Sequence, residues 1–214
     1  LLAVFGPNYE CLWADIGTNG RAPDGAIWQR SDLKAILGSK ENKLHLPPMN
    51  PLPMRSKPVP FVLTGDDAFG LTTYLMKPYP RTHLTLEQRI FNYRLSRMRR
   101  ISENGFGILA NRWRVLRVPI LLAPDFVTNI VLALLVLHNY LRPSIPPSLF
   151  DSEDPYTGNV IPGEWRNNLD GSESWIDFSP CCSNNFSNEA KSVREEYKAY
   201  FNNEGALSWQ WCQC

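Results

Sequence analysis

Apolar residues fall into short clusters separated by strong breakers, and their spacing predicts most elements of the chain. Residues 1–5 (LLAVF) and 9–16 (YECLWADI) are apolar-rich runs joined by Gly6-Pro7-Asn8, the signature of a β-hairpin. Residues 17–23 are rich in glycine and polar groups, so they read as a loop. Asp24 then stands as the N-cap of a helix through Leu37, with Gly38 as its stop. Six prolines between residues 46 and 60 predict an extended surface loop. Residues 59–64 (VPFVLT) show no polar alternation, so a strand buried on both faces is expected, ending in Gly65-Asp66-Asp67.

Helical periods dominate afterwards. Thr85 and Gln88 form a capping box that opens a helix running past Glu103, weakened just beyond by Gly105 and Gly107. Ala123-Pro124-Asp125 opens another, with proline at its first position, ending at Arg142 before Pro143. Its apolar stretch, residues 130–137, is far short of the roughly 20 residues a membrane span needs, and a buried core helix is expected. Residues 143–186 turn to Pro, Ser, Asn, Asp and Gly and read as irregular. A last helix is expected over residues 188–204, with Ala190, Val193, Tyr197, Tyr200 and Phe201 on one face and Gly205 as its terminator.

Charge sharpens this division. Residues 1–142 hold 18 Lys and Arg against 10 Asp and Glu, whereas residues 143–214 hold 4 against 11, a basic body followed by an acidic tail. A basic body suits a polyanionic partner, although two unlike solvated surfaces explain the same numbers. The five cysteines (Cys11, Cys181, Cys182, Cys212, Cys214) lack metal-ligand spacing and are expected to be free thiols. No signal peptide is recognisable, because Gly6, Pro7 and Asn8 break the opening apolar run. The chain starts with Leu1 rather than Met, so an N-terminal stretch is expected to be missing.

Two carboxylates stand out. Asp66 follows a buried strand, where α/β folds place reactive groups, and Glu103 lies on a helix with 36 residues between it and Asp66. Such a pair can hold Mg²⁺, a hard cation that prefers oxygen ligands. Eight arginines (89, 94, 97, 99, 100, 112, 114, 117) surround Glu103, with Glu87 as the one other acid in that stretch. Asn92, Ser96, Arg99, Glu103 and Phe106 recur at helical spacing on one face. The arginines can hold Glu103 ionised and neutralise DNA phosphates, with Arg94, Arg97, Arg99 and Arg100 as the candidates. An intrahelical salt bridge of Glu103 with Arg99 or Arg100 fits the same residues. His45 and His83 are expected in surface loops, and His138 as a core or capping histidine. Trp209-Gln210-Trp211 reads as either a docking peptide or a packing anchor.

Residues 14–24 (ADIGTNGRAPD) resemble the D-x-G-x-x-G-x-x-x-D segment of PIF/Harbinger transposase-derived nucleases, a group of DDE superfamily endonucleases. Residues 63–71 (LTGDDAFGL) look like that family's G-D-x-x-[YF]-x-L motif, and Lys77-Pro78-Tyr79 like the x-P-Y after it. Residues 91–99 (FNYRLSRMR) and 103–109 (ENGFGIL) are similar to its F-N-x-x-x-S-x-x-R-x-x-x-E-x-x-F-G-x-L block, and residues 137–141 (LHNYL) to its closing L-H-N-x-L. The blocks keep family order across residues 1–142; residues 193–205 resemble the C-terminal helix of some animal members. The resemblance implies an α/β, RNase H-like mixed sheet flanked by helices, lacking its first strand, over residues 1–142. Residues 143–214 would then be an acidic, mostly irregular tail with helix 188–204.

It further implies hydrolysis of DNA phosphodiesters with Mg²⁺ or Mn²⁺. Asp66 matches the second acid of the DDE triad and Glu103 the third, both as catalytic metal ligands. The first acid belongs to a segment resembling I-D-G-T-H, which these residues do not contain, so the fragment itself is expected to be inactive. Asp15 and Asp24 do not match that acid; Asp24 matches a recurrent family Asp of auxiliary or structural role. The implied partners are DNA and a separate Myb-like DNA-binding protein, with no membrane, and the implied location is the nucleus. The alternative is a domesticated, non-catalytic DNA- or chromatin-binding protein.

Overall fold

The structure is a computed structural model that describes residues 1–39, 41–168 and 186–213. Cys181, Cys182, Cys214 and residues 169–185 of the segment expected to be irregular lie outside the described residues. Cys11 and Cys212 are free thiols. The fold is mixed α/β, and its strands pair two by two: β1 (Leu2–Phe5) with β2 (Cys11–Asp15), β3 (Asn50–Pro51) with β4 (Pro58–Val59), β5 (Leu63–Thr64) with β6 (Leu75–Met76), and β7 (Ser152–Glu153) with β8 (Val160–Ile161). The helices are α1 (Asp24–Arg30), α2 (Asp32–Leu37), α3 (Leu86–Arg112), α4 (Pro124–Leu141) and α5 (Asn188–Asn202).

The chain forms two compact units, each from two stretches. One comprises Leu1–Ala22 and Arg100–Asp177; the other comprises Pro23–Arg99 and Phe178–Cys214. This division differs from a body over residues 1–142 with an appended tail. The later residues carry large apolar side chains, and burying these outweighs the polar composition around them.

In the first unit the predicted hairpin is present, with Val4 opposite Trp13 and an irregularity between Val4 and Phe5. Tyr9 takes a left-handed backbone (φ 64°) at the turn. Its ring stacks on Phe150 at 4.7 Å, and its carbonyl accepts a 2.7 Å bond from His138 Nε2. Asn139 completes the exposed edge of β2: Cys11 N–H donates to Asn139 Oδ1 and Asn139 Nδ2 donates to Cys11 O, both at 2.8 Å. Phe5, Leu109, Val131 and Leu135 form the core. Helix α3 continues through both glycines to Arg112. A Cβ on Gly105 would stand 2.7 Å from Phe5 Cδ1, and one on Gly107 2.3 Å from Trp165 Cζ3, so their bareness admits the rings. The buried core helix expected here is buried on one face only: Val131, Leu135 and His138 face inward while Phe126, Leu132, Val136 and Tyr140 are exposed. The helical stretch Pro124–Ser144 is also long and apolar enough to cross a membrane by length and composition.

In the second unit the single helix expected from Asp24 to Leu37 is broken at Ser31. That residue takes an extended backbone and its Oγ accepts from Lys34 N at 3.2 Å, capping α2. Pro23, not Asp24, occupies the N-cap of α1, and Asp24 lies in the first turn, where a negative charge suits the helix dipole. The run expected to be one strand buried on both faces is split: Val59 belongs to β4, Phe61 is exposed, and Leu63 and Thr64 form β5, parallel to β6. The capping box is present: Thr85 N donates to Gln88 Oε1 at 3.0 Å and Gln88 N to Thr85 Oγ1 at 3.3 Å. Leu71, Met76, Tyr79, Phe91 and Leu95 pack with Ala190 and Phe201 of α5.

Candidate functional site

β5 delivers the chain to Gly65 and then Asp66. Gly65 is required there, since a Cβ would come within 2.9 Å of Phe69 Cδ2. Asp66 Oδ1 accepts from Ala68 N at 2.8 Å, which fixes the carboxylate to its own turn. Its Oδ2 lies 3.9 Å from Arg99 Nη2, and the Asp66 side chain is 38% exposed. The turn is backed by α1, where a Cβ on Gly25 would meet Ala68 O at 2.4 Å and Trp28 meets Phe69 edge-on. That approach brings Asp24 beside Asp66. Burial, and then the negative charge of Asp66, push the Asp24 carboxyl above its ordinary range.

Glu103 belongs to the other unit and is exposed on α3. Beside it, Asn104 is buried and donates to Asp151 Oδ2 at 2.9 Å. Burial drives Asp151 upward, but bonds from Arg166, Gly163 N and Trp165 Nε1 hold it below the usual carboxylate range. The bonds to Asp151 raise the Arg166 guanidinium most, and the negative charge of Glu103 adds a smaller push in the same direction.

The four candidate arginines have distinct surroundings. Arg94 Nη1 donates to Gly205 O at 3.0 Å and Gln210 Oε1 at 3.1 Å, and its guanidinium covers Phe201. Burial lowers its pKa. Arg97 stacks on Trp209 at 4.2 Å. Both are occupied in holding the C-terminal segment, so Trp209 is a packing anchor. Arg99 faces Asp66, and Arg100 pairs with Glu153 at 3.4 Å.

A family model described as DDE superfamily endonuclease matches residues 1–139. The chain belongs to that family. As a DDE superfamily endonuclease it carries a nuclease or transposase-derived domain, for which DNA is the implied substrate. No curated protein and no solved structure matches the chain.

The motif positions singled out in the sequence acquire physical reasons in this chain. Asn92 Oδ1 accepts from Tyr79 N at 2.7 Å while its Nδ2 donates to Tyr79 O at 2.9 Å, joining the x-P-Y and F-N motifs. His138 and Asn139 of L-H-N-x-L hold the hairpin. Among the described residues no group of three or more His, Cys, Asp or Glu converges as a metal cage. Asp66 and Asp24 nevertheless suit Mg²⁺, which is commonly held by one or two carboxylates together with waters and substrate phosphates. Sequence reasoning missed the nearness of Asp24 to Asp66; the signal was the glycine after Asp24, which permits the approach.

Proposed function

We propose that this DDE superfamily endonuclease is of the PIF/Harbinger transposase kind, with an RNase H-like core that hydrolyses DNA phosphodiesters with Mg²⁺ or Mn²⁺. Asp66 and Glu103 are its metal-binding acids, and Asp24 is an auxiliary carboxylate beside Asp66. The observation that carries this reading is the family match, which spans every motif containing these residues. The bound ion supplies water activation and neutralisation of charge at the departing oxygen. The chain's own part is positional. Ala68 N–H fixes one oxygen of Asp66 and leaves the other facing outward toward Arg99. Arg99 and Arg100 neutralise DNA phosphates. The reading includes a nuclear location and a separate Myb-like partner that reads the DNA sequence.

Calorimetric titration of the full chain with Mn²⁺ tests the site. Binding that Asp66→Asn abolishes and Glu103→Gln weakens is expected; binding indifferent to Asp66 overturns the assignment. A second reading, a non-catalytic DNA- or chromatin-binding protein, is favoured by the guanidinium of Arg99, which already sets a positive charge opposite Asp66. Salt-sensitive DNA binding without any Mn²⁺ binding would select it.

A further inference from the structure

We propose that the outward face of α4 pairs with the same face of a second copy of this chain, antiparallel, about a two-fold axis at Ala133. Phe126 is 65% exposed, Val136 61% and Tyr140 78%, and Ala133 and Leu137 are exposed with them. At 100° per residue Phe126, Ile130, Ala133, Leu137 and Tyr140 share one stripe, flanked by Val136. The opposite stripe is spent on the chain's own core through Val131, Leu135 and His138.

The stripe is self-complementary except at Leu137, whose counterpart four residues before Ala133 is the exposed Asn129. Phe126 lies seven residues before Ala133 and Tyr140 seven after it; Ile130 and Val136 lie three to either side. Turning one helix end for end therefore sets Phe126 against the partner copy's tyrosine and Ile130 against its valine. The smallest side chain, Ala133, meets itself where two helices must approach most closely. Aromatic rings close both ends of the seam. The exposed side chains offer on the order of 600 Å² per copy, which reaches the lower range of stable interfaces.

A bilayer is the competing occupant, because the stretch Pro124–Ser144 is long and apolar enough to span one. Insertion would strip His138 from Tyr9 and Asn139 from Cys11, leaving these polar groups without their partners in hydrocarbon. Pairing with a copy keeps those bonds.

Sedimentation equilibrium of the full chain, with circular dichroism to verify folding, tests the proposal. A dimer is expected, with its dissociation constant raised more than about tenfold by Ala133→Arg. Leu12→Arg, at an exposed position on β2, is expected to leave the dimer intact. Because the arginine variant could misfold, a second arm follows Ala133→Cys. Mild oxidation should link two copies through that residue beyond the background of the unsubstituted chain. A monomer up to roughly 100 µM, a dimer indifferent to Ala133→Arg, or capture by phosphatidylcholine vesicles without dimer formation each overturns it.

Discussion

Arg99 holds its Nη2 3.9 Å from Oδ2 of Asp66, the oxygen that Ala68 N–H leaves open. A guanidinium at that distance offsets the carboxylate charge without a direct hydrogen bond. It therefore competes with a metal ion for the same oxygen. Arg99→Gln is expected to tighten Mn²⁺ binding severalfold, and Asp66→Asn to remove it, both read by calorimetry. Weaker binding in Arg99→Gln would show that the arginine assists the site instead.

Asp24 carries a cost at neutral pH. Its folded pKa lies above the ordinary carboxylate value, from burial first and the charge of Asp66 second. The folded state thus holds its proton more tightly than the unfolded chain, and stability falls as pH rises from the unfolded pKa through the folded one. Asp24→Asn should raise the melting temperature at pH 7, with the gain shrinking below about pH 4. The same substitution should weaken Mn²⁺ binding. A variant less stable at pH 7 would contradict the strain assigned to this carboxylate.

Asp151 behaves in the opposite sense. Burial raises it, yet its bonds from Arg166, Gly163 and Trp165 more than compensate, so its folded pKa lies below the unfolded value. Its contribution is present above the unfolded pKa and disappears as pH falls through the folded one. Asp151→Ala leaves Arg166 without its main partner and should cost about 3 kcal/mol in urea unfolding at pH 7. The loss should shrink at pH 3.

Gly107 faces two opposed effects. Alanine favours a helix interior by about 1 kcal/mol, but its Cβ would enter the space of Trp165. Overpacking of this kind costs about 1–3 kcal/mol and should win, lowering the melting temperature of Gly107→Ala. Trp165→Ala in the same background should relieve the clash and make the glycine substitution neutral or favourable.

The hairpin, the capping box and the start of α4 were legible because short-range chemistry decides them: a Gly-Pro-Asn turn, a T-x-x-Q pair and proline at the first helical position. The break at Ser31 was not, since a serine within a helical pattern caps only if the chain bends there. Gly105 and Gly107 read as weaknesses because their rings come from Phe5 and Trp165, distant in sequence. The last helix and its apolar face with Ala190 and Phe201 were legible from spacing, whereas the residues that this face packs against come only from tertiary contact. The approach of Asp24 to Asp66 was not legible, because it depends on how Gly25 meets Ala68. Sequence spacing also does not show that Gln210 reaches Arg94 and Trp209 reaches Arg97.

Asn92 grips both backbone groups of Tyr79, a residue that lies in no strand or helix. Deuterium should therefore enter the Tyr79 amide at the pace of the α3 interior rather than of an open loop. Proteases meeting the native protein should spare this peptide. Asn92→Ala would release it, turning a slow-exchanging amide into a fast one.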